Sequence, residues 1–519
     1  MFKNHPKGLI AASLSNMGER FGFYIMMAVL TLFISAKFGL DEKTTGYIYS
    51  VFYASIYVLA LIGGLIADKT KNYKGTILAG ILVMTLGYLI IAIPTPTPVP
   101  NQALYLSLTC LGLLVIAFGN GLFKGNLQAL LGQMYDADKK RYDRFRDSGY
   151  LIFYLFINVG AIVAPLIAVG LRNWWLGVHH FDYNAKLPEL CHAYLDKGAG
   201  MDPTKLANLH VYAEGATLNG EVGNLTTFCN EYLNVFNHGF QYAFMAAIGA
   251  MCISLVIYLF NKKIFPNPAN AQEEAVAKMS AAEVKISADE IRRRIWALFA
   301  VFGVVIFFWF SFHQNGYSLT YFARDYINLE AIDINLGFTR LKGAELFQSV
   351  NPFFVVFLIP FVMLMFKRMR KKGTEPSTPK KITIGMGIAT IGYLFLLVCS
   401  MALPDKSALE GMSSGTLETM RLSPMVMVVM YLILTVAELF ISPLGLSFVS
   451  KVAPPHLQGL MQGCWLAATA VGNLLLFIGG ILYVNVPLWS CWLVFVAACG
   501  ISMIAMFSMV RWLEKVAKV

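Results

Sequence analysis

Five ionisable side chains lie inside long apolar runs of this sequence: Glu19, Arg20, Lys124, His313 and Glu438. An ionisable group inside a bilayer is costly to bury and usually has a functional role. Two acids, two bases and one imidazole form a nearly neutral set, which suits a water-filled cavity for a zwitterion. Cations would hold one end of such a substrate and an anion the other. The alternative is that these groups pair only with each other and hold helices together.

Aromatic and amide side chains accompany these charges. Tyr24 lies one helical turn after Arg20, and Trp309 lies one turn before His313. Further residues of this kind are Tyr57, Tyr154, Asn158, Asn351 and Trp465. A buried amide is costly unless it is hydrogen-bonded, and its paired donor and acceptor match those of a peptide bond. For each aromatic side chain the alternative is packing between helices.

The composition indicates which elements must position these residues. The chain has 519 residues, 57% of them hydrophobic and 14% charged, and its mean hydropathy is +0.60. Soluble domains carry about 25% charged residues, so the composition predicts an integral membrane protein. The hydrophobic residues form long runs rather than short alternating segments, which favours helices over an outer-membrane barrel.

The apolar runs predict an all-α membrane protein with twelve transmembrane helices. The predicted spans are 8–36, 44–67, 75–94, 103–134, 148–172, 239–261, 295–316, 346–366, 382–403, 424–449, 457–484 and 488–511. Six spans precede a charged segment and six follow it, the layout of the two halves of major facilitator transporters. We therefore expect a first half over 1–261, a linker over 262–292 and a second half over 293–519.

The distribution of basic residues predicts the orientation. Most of the 41 Lys and Arg residues fall at the ends and connections that share a side with the N-terminus. By the positive-inside rule both termini are cytoplasmic, in a multi-pass protein of the plasma (inner) membrane. The net charge of +11 is then explained by topology and lipid headgroups, and no nucleic-acid partner is expected.

Two connections are long. Residues 173–238 form an outside loop whose two cysteines, Cys191 and Cys229, are predicted to form a disulfide because oxidation persists outside the cell. The alternative is two free thiols. Four histidines of this loop are expected to be solvated rather than bound to metal. The linker contains SAAEVKISADEIRRR, which has the pattern of an amphipathic helix on the membrane surface.

Several segments together resemble one family, the proton-dependent oligopeptide transporters. NMGERFGFY (16–24) resembles the family's signature on the first helix, and FGNGLFKGNLQALLGQMY (118–135) resembles its fourth-helix motif. Similar matches are RDSGYLIFYLFINVGAI (146–162), FWFSFHQNG (308–316), QSVNPFFVVFLIP (348–360), AELFISPLGLSFVSKVAP (437–454) and MQGCWLAATAVGN (461–473). GGLIADKTKNYKG (63–75) is typical of the major facilitator fold. The resemblance does not extend to the 173–238 loop.

The resemblance implies roles for individual residues. Arg20 and Lys124 would bind a peptide carboxylate, Glu438 would bind the amino terminus, and Asn158 and Asn351 would bind the peptide backbone. The expected side-chain pockets and remaining substrate contacts are Tyr24, Tyr57, Tyr154, Trp309, Gln314 and Trp465.

Three positions depart from the family pattern. Asn16 replaces the first signature acid, Met27 replaces an Arg, and His313 replaces an acid. In typical members that Arg and that acid form an outer gate between helices 1 and 7, so both partners are absent here. We expect proton coupling and gating to involve Glu19, Arg20, Asn16 and His313, with His313 taking over from the missing acids.

These observations predict a secondary active transporter that imports di- and tripeptides by proton symport, probing each peptide at both termini. It would need no cofactor beyond the coupling proton and would function as a monomer among membrane lipids. The alternative is a carrier of another small zwitterion or organic anion, with altered or absent proton coupling. The spans contain no catalytic triad, paired catalytic carboxylates or metal-spaced histidines, and no phosphate-binding GxxxxGK[ST] motif occurs, so an enzyme or ATP-driven pump is not expected.

Overall fold

The computed structural model describes residues 5–136, 139–142, 146–218, 222–266, 288–454 and 457–517, and these are almost entirely helical. The first half contains α1 (Gly8–Phe38), α2 (Glu42–Thr70), α3 (Tyr73–Ile91), α4 (Gln102–Asp136), α5 (Lys139–Tyr142), α6 (Arg146–Val178), α7 (Leu187–Lys197), α8 (Pro203–Ala216) and α9 (Leu225–Asn261). The second half contains α10 (Ala288–Phe312), α11 (Ser318–Tyr326), α12 (Val350–Lys371), α13 (Thr378–Ser400), α14 (Lys406–Glu410), α15 (Ser414–Met420), α16 (Met425–Val452), α17 (Gln458–Leu474), α18 (Phe477–Asn485) and α19 (Leu488–Ala517).

The described residues contain twelve helical segments that are long and apolar enough to cross a membrane. This confirms the predicted number of spans. The spans are α1, α2, α3, α4, α6 and α9 in the first half, and α10 with α11, α12, α13, α16, α17 with α18, and α19 in the second. Because the number of crossings is even, both termini lie at one end, the terminus end. The opposite end, which carries α7 and α8, is the loop end.

Local sequence signals account for several helix ends. Asp41 caps α2 by accepting a hydrogen bond from the Thr44 backbone N–H at 2.8 Å, and Asn72 caps α3 through Gly75 N–H at 2.9 Å. Such caps satisfy backbone donors that the first helical turn leaves free. Gly39 closes α1 with a left-handed φ of 63°, which glycine adopts without the steric penalty of a side chain.

Glycine also allows α2 and α4 to approach closely. A Cβ atom on Gly63 would lie 2.1 Å from the backbone oxygen of Gly121, and one on Gly121 would lie 2.4 Å from the oxygen of Leu59. Small residues permit such contacts between membrane helices. The close approach predicted for the 63–75 segment is thus present at Gly63, whereas a Cβ on Gly64 would meet open space.

Two spans of the second half are interrupted where they face each other. Span 7 changes from α10 to a 3-10 turn over His313–Gly316 before α11 begins, and span 11 breaks between Leu474 and Phe477. The sequence predicted continuous spans over 295–316 and 457–484. Breaks of this kind occur in transporters where backbone lines a cavity or is satisfied by side chains.

The 173–238 segment is not a loop in the structure. It begins with the last turns of α6, contains α7 and α8, and ends with about four turns of α9 that precede the predicted span at 239. Polar residues interrupt the apolar pattern here, because these turns pack against protein rather than lipid. We call residues 179–218 the insertion.

The predicted amphipathic helix of the linker lies largely outside the described residues. Its last part, from Ala288 to Arg294, forms the first turns of α10 instead of a separate surface helix. A short antiparallel hairpin, β1 (Ile334–Asn335) with β2 (Arg340–Leu341), lies between α11 and α12 at the loop end.

Polar contacts between the two halves gather at the loop end. Arg172 of α6 forms a fully buried ion pair with Glu345, which precedes α12, and also donates to the backbone oxygen of Lys342 at 3.0 Å. Ser35 of α1 is hydrogen-bonded to Tyr321 of α11 at 2.8 Å. These contacts hold the loop end closed in this structure.

Candidate functional site

The first component of the site is an acid–base pair on α1. The guanidinium of Arg20 donates two hydrogen bonds to the carboxylate of Glu19, both at 2.5 Å, and Asn120 of α4 donates a third at 2.8 Å. Arg20 also lies over the ring of Phe23, 4.6 Å from its centroid. Both charges are buried. This network neutralises Glu19 and orients Arg20.

The second component is Lys124 of α4. Its ammonium lies over the ring of Tyr57, 5.1 Å from the centroid, and it interacts electrostatically with Arg20 and Glu19. Within the described part of the chain Lys124 has no ion-pair partner. A half-buried ammonium that lies over an aromatic face and forms no ion pair leaves its charge available for an anion.

The third component is Glu438 of α16, in the other half. The amide of Asn351 on α12 donates to its carboxylate at 3.0 Å and to the Thr435 hydroxyl at 2.9 Å. The described residues supply no cation within ion-pair distance of Glu438. The carboxylate is thus held in place by a neutral donor while its charge remains uncompensated.

A cavity of about 110 Å³ lies between the two halves, next to these groups. Five predicted residues line it: Tyr24, Tyr154, Asn158, Asn351 and Glu438. The lining also includes residues that the sequence did not single out, namely Tyr49, Tyr53, Asn315 and Gln348, together with Met27 at the position of the missing gate Arg. The cavity therefore combines aromatic walls, amides and one carboxylate.

Two tyrosines connect the cationic and anionic sides of this region. Tyr24 and Tyr57 each interact electrostatically with both Arg20 and Glu438. The acid of the second half thus faces the bases of the first half across these rings. Such an arrangement can bind the two ends of a zwitterion, with the rings contacting its middle.

Other predicted residues lie beside the cavity rather than on its wall. Arg20, Lys124 and Tyr57 form a layer next to Tyr24. Trp465 is buried against Phe302 of α10, with ring centroids 6.3 Å apart. Asn158, which does line the cavity, donates to the Tyr154 backbone oxygen of its own helix at 3.0 Å.

Gln314 is fully buried at the break of span 7. Its carbonyl accepts from the Ser318 hydroxyl at 2.7 Å, and its amide donates to Phe310 O and Leu476 O, each at 3.3 Å. The structure thus uses Gln314 to satisfy the two interrupted helices and does not bring it to the cavity wall.

His313 occupies the same break. Its Nδ1 donates to Oδ1 of Asn473 on α17 at 2.5 Å, and its ring stacks on Trp309 with centroids 4.8 Å apart. Tyr53 covers it from the first half at 4.6 Å. The charge that acts on His313 through space is Lys124. Glu19, Arg20 and Asn16, which were expected to share coupling with His313, are not among these contacts.

The indole N–H of Trp309 is buried and has no hydrogen-bond partner in the described part of the chain. Asn16 is also buried on α1. Met27 lies on the cavity wall and His313 is bonded to Asn473, so the pair that forms the family's outer gate has no equivalent at these two positions.

A second group of charges lies at the loop end and was not recognisable from the sequence. Glu42 of α2 is bound to Arg324 of α11 at 2.6 Å and to Lys406 of α14 at 3.0 Å. Burial opposes the charge of Lys406, but the carboxylates of Asp325, Glu189 and Glu42 outweigh it and raise its pKa. Glu42, Arg324 and Lys406 all lie outside apolar runs or at their edges, where a charge is ordinarily solvated.

The two cysteines of the 173–238 segment are neighbours, as the predicted disulfide requires. Cys191 of α7 and Cys229 of α9 are buried free thiols that contact each other by a hydrogen bond. Burial and this neighbour raise the pKa of the Cys191 thiol well above its usual value. The predicted disulfide is not formed in this structure and stays a prediction.

Two histidines of the insertion have protein partners. His192 Nε2 is hydrogen-bonded to the Ala36 backbone oxygen at 2.7 Å, and His179 packs on Trp175 at 4.5 Å. Burial lowers the pKa of His192, and the hydrogen bond to Ala36 opposes this shift. Across the described ranges no group of three His, Cys, Asp or Glu side chains could hold a metal ion.

Twelve apolar helices in two halves around a charged central cavity define a multi-pass membrane carrier of the major facilitator type. A sequence profile described as the POT family matches residues 74–285 and 271–484. The two matches together span more than half of the chain. The chain therefore belongs to the POT family, and the resemblance found in its motifs is confirmed.

Relatives of known name agree with this assignment. Peptide transporter YePEPT of Yersinia enterocolitica subsp. palearctica is 29% identical over 498 residues, covering 91% of this chain and 87% of that protein. Dipeptide and tripeptide permease B of Shigella dysenteriae is 26% identical over 472 residues, covering 91% and 86%. Both are named as transporters or permeases and not as enzymes.

Solved structures share the fold. A mutant of the peptide transporter POT in complex with alafosfalin is 22% identical, with a TM-score of 0.70 and coverage of 99% of this chain and 96% of that one. A POT family transporter in complex with 5-aminolevulinic acid is 20% identical, with a TM-score of 0.69 and coverage of 99% and 98%.

Proposed function

We propose that this protein imports di- and tripeptides by proton symport, through alternating access of the central cavity. The observation that carries the proposal is a pair of uncompensated charges on opposite halves, the ammonium of Lys124 and the carboxylate of Glu438. A buried charge without a counter-ion is costly. A peptide zwitterion supplies both counter-ions at once and bridges the two halves.

In this proposal the peptide carboxylate binds Lys124 and Arg20, and the amino terminus binds Glu438. Arg20 keeps its Nε and one terminal nitrogen on Glu19, so its other terminal nitrogen serves the substrate. Asn158 and Asn351 offer amide groups to the peptide bond on the cavity wall. A clamp on both termini limits substrate length, whereas its aromatic walls tolerate different side chains.

The names of the relatives support a peptide as the substrate. The two relatives named above are called a peptide transporter and a dipeptide and tripeptide permease, and each alignment covers 91% of this chain. Trp309 and Trp465 are assigned to side-chain pockets beside the cavity. The unpaired indole N–H of Trp309 is a donor that a bound peptide would satisfy.

The orientation that we propose places the terminus end in the cytoplasm and the loop end outside, in the plasma (inner) membrane. The excess of Lys and Arg at the terminus end supports it. The protein would act as a monomer surrounded by lipid. With the loop end closed by contacts between its halves, the structure then corresponds to a state that is shut towards the outside.

The uptake experiment uses the purified protein in proteoliposomes, with the pH gradient and the membrane potential set separately. A labelled dipeptide should accumulate only when the outside is more acidic or the inside is negative. Unlabelled di- and tripeptides should compete, whereas free amino acids and tetrapeptides should compete weakly. Competition by a non-peptide zwitterion or organic anion, with none by peptides, would replace the substrate assignment with the alternative carrier.

Proton coupling is proposed to run through Glu19 and His313. His313 is hydrogen-bonded through Nδ1 to Asn473, and its Nε2 is the position that we propose takes up the proton. A proton that enters with a neutral peptide moves one positive charge inward, which the potential favours by about 2.3 kcal/mol per 100 mV.

The coupling test compares His313→Gln with the wild type. The Gln variant should retain peptide exchange between the two sides of the membrane but lose accumulation driven by pH. Unchanged accumulation in His313→Gln between pH 5 and 7.5 would assign the proton to Glu19 alone. Loss of exchange as well as accumulation would show a structural role for His313 at the break.

A further inference from the structure

Six charged side chains from both halves meet at the loop end. Glu42 comes from α2, Lys186 and Glu189 come from the insertion, and Arg324, Asp325 and Lys406 come from α11 and α14 of the second half. We call these six residues the loop-end ion cluster. It lies apart from the central cavity, whose lining contains none of them.

Five ion pairs of this cluster cross between the halves. Glu42 binds Arg324 at 2.6 Å and Lys406 at 3.0 Å. Glu189 lies 3.7 Å from Lys406 and 3.9 Å from Arg324. Lys186 binds Asp325. Every charge thus has at least one counter-ion on the opposite half.

Four of the six side chains are buried, whereas Glu189 is 40% exposed. The exposed fraction is 7% for Glu42, 6% for Arg324, 3% for Asp325 and 3% for Lys406. Tyr483 of α18 donates to Asp325 at 2.8 Å and closes the cluster on the side of the second half. Buried pairs are screened much less by salt than exposed ones, so these attractions act at nearly full strength when the loop end is closed.

Separation of the halves divides the cluster into two charged faces. The first half keeps two carboxylates and one ammonium, and the second half keeps two cations and one carboxylate. Each half then carries one net charge, of opposite sign. The two faces attract each other when apart and neutralise each other when together. The cluster therefore favours the closed arrangement and determines how the two halves align in it.

The insertion adds an outer ring of contacts. Lys205 of α8 binds Glu410 of α14 at 2.6 Å, with both side chains about one-third exposed. Asn208 donates to Met412 O at 2.6 Å and accepts from Ser414 N–H at 2.7 Å. The insertion of the first half thus holds the segment that joins α13 and α16 in the second half.

We propose that the loop-end ion cluster is the outer gate of this transporter and that the insertion clasps it shut. The gate replaces the helix 1–helix 7 pair that Met27 and His313 remove. The inference rests on the proposed function only in calling this gate "outer", because the proposed orientation places the loop end outside. A cluster that joins the two halves controls access from the loop end to the central cavity whatever the substrate is.

The first experiment measures hydrogen–deuterium exchange of the full chain in nanodiscs without substrate. Glu42→Gln should speed exchange at the loop-end turns of α1, α2 and α11 by about tenfold, within the range of typical conformational couplings. Exchange at the terminus end should slow, because that end closes as the other opens. The control is Lys380→Met, which removes a 3.0 Å ion pair with Glu514 within one half at the terminus end.

Unchanged exchange at the loop end in Glu42→Gln would overturn the proposal. Faster exchange at both ends, or at the loop end without slowing at the terminus end, would do the same, because it indicates loosening rather than a change of state. The readout needs no transported substrate. A failure of peptide uptake with the expected exchange pattern would therefore refute the peptide assignment and leave the gate in place.

A charge swap tests the clasp and guards against misfolding. Lys205→Glu and Glu410→Lys should each speed exchange at the loop end, because each brings two like charges together. The double variant restores an ion pair of reversed direction and should return exchange to within about twofold of the wild type. A double variant that exchanges as fast as either single variant would show that this contact does not hold the halves together.

Discussion

Replacement of Glu438 by Gln tests the clamp at one end only. The substitution removes the negative charge but keeps the shape of the side chain and a carbonyl oxygen that can accept the hydrogen bond from Asn351, which spans 3.0 Å in the wild type. Folding should be preserved for that reason. If Glu438 binds the amino terminus, the variant should lose affinity only for substrates that carry an ammonium.

The size of the effect follows from the environment of the carboxylate. A hydrogen bond to a charged group contributes about 1.5–3 kcal/mol, and each 1.36 kcal/mol is a factor of ten. Glu438 has no competing cation among the described residues, so the substrate receives the whole interaction. We expect the variant to bind a free dipeptide about 10- to 150-fold more weakly.

The assay is a cycle of protein and ligand variants. Competition for uptake or exchange is measured with a free dipeptide, its N-acetylated form and its C-amidated form, in the wild type, Glu438→Gln and Lys124→Gln. Glu438→Gln should remove most of the wild type's preference for the free over the acetylated peptide and keep its discrimination against the amide. Lys124→Gln should show the opposite pattern, and Glu418→Gln on exposed α15 is the matched control.

Equal losses for free and acetylated peptides in Glu438→Gln would refute the assignment, because the carboxylate would then act on something other than the ammonium. A preference for the free peptide that persists unchanged would refute it as well. Exchanged patterns between the two variants would mean that the peptide binds in the reverse direction.

Three further predictions concern buried contacts outside the cavity. Arg172→Met should lower the unfolding temperature in detergent strongly, because it leaves Glu345 buried and unpaired at a cost of about 3–5 kcal/mol; Arg172→Met combined with Glu345→Leu should recover most of the loss, and no recovery would contradict the ion-pair explanation. Protein purified without reductant and alkylated after denaturation should carry labels on six of its eight cysteines by intact mass, whereas eight labels would refute the disulfide between Cys191 and Cys229. Burial lowers the pKa of His192, so this histidine binds a proton more readily when the insertion is undocked. The contribution of docked His192 to stability is therefore present at pH 7.5 and is lost as the pH falls below about 6.5. His192→Gln should remove this pH dependence of unfolding, and equal pH dependence in the variant and the wild type would contradict the explanation.

The number of membrane spans could be predicted because hydrophobicity over about 20 residues is a strong signal. What could not be predicted depends on burial by protein rather than lipid. The N-terminal turns of α9, with residues such as Asn230 and Asn234, are too polar to be identified as a span. They are helical because the insertion packs against them, and a hydropathy argument cannot register that packing.

The site was predictable to the extent that its charges stand out against apolar surroundings. Glu19, Arg20, Lys124 and Glu438 were visible in this way, and the structure places them near one cavity. The partner of His313 was not predictable, because Asn473 belongs to another span and only the paired breaks of α10 and α17 bring the two together. The sequence likewise offers no way to choose between Gln314 as a substrate ligand and Gln314 as a bond between broken helices.

The loop-end ion cluster shows where the same reasoning fails and what replaces it. A charge outside an apolar run is interpreted as solvated, because the sequence does not show a counter-ion that would offset the cost of removing it from water. Compensation here comes from the opposite half, whose Arg324 and Lys406 meet Glu42 at the closed loop end of this structure. A group whose counter-ion lies across a moving interface must carry its charge into the water when the halves part. Such groups are tolerable only near the membrane surface, where water can replace the lost partner. The central charges have no such replacement, so a substrate with both signs must supply it. The gate proposed at the loop end and the zwitterion clamp proposed at the centre therefore answer one requirement: a charge that has lost its partner must receive another, from water at the membrane surface and from the substrate at the centre.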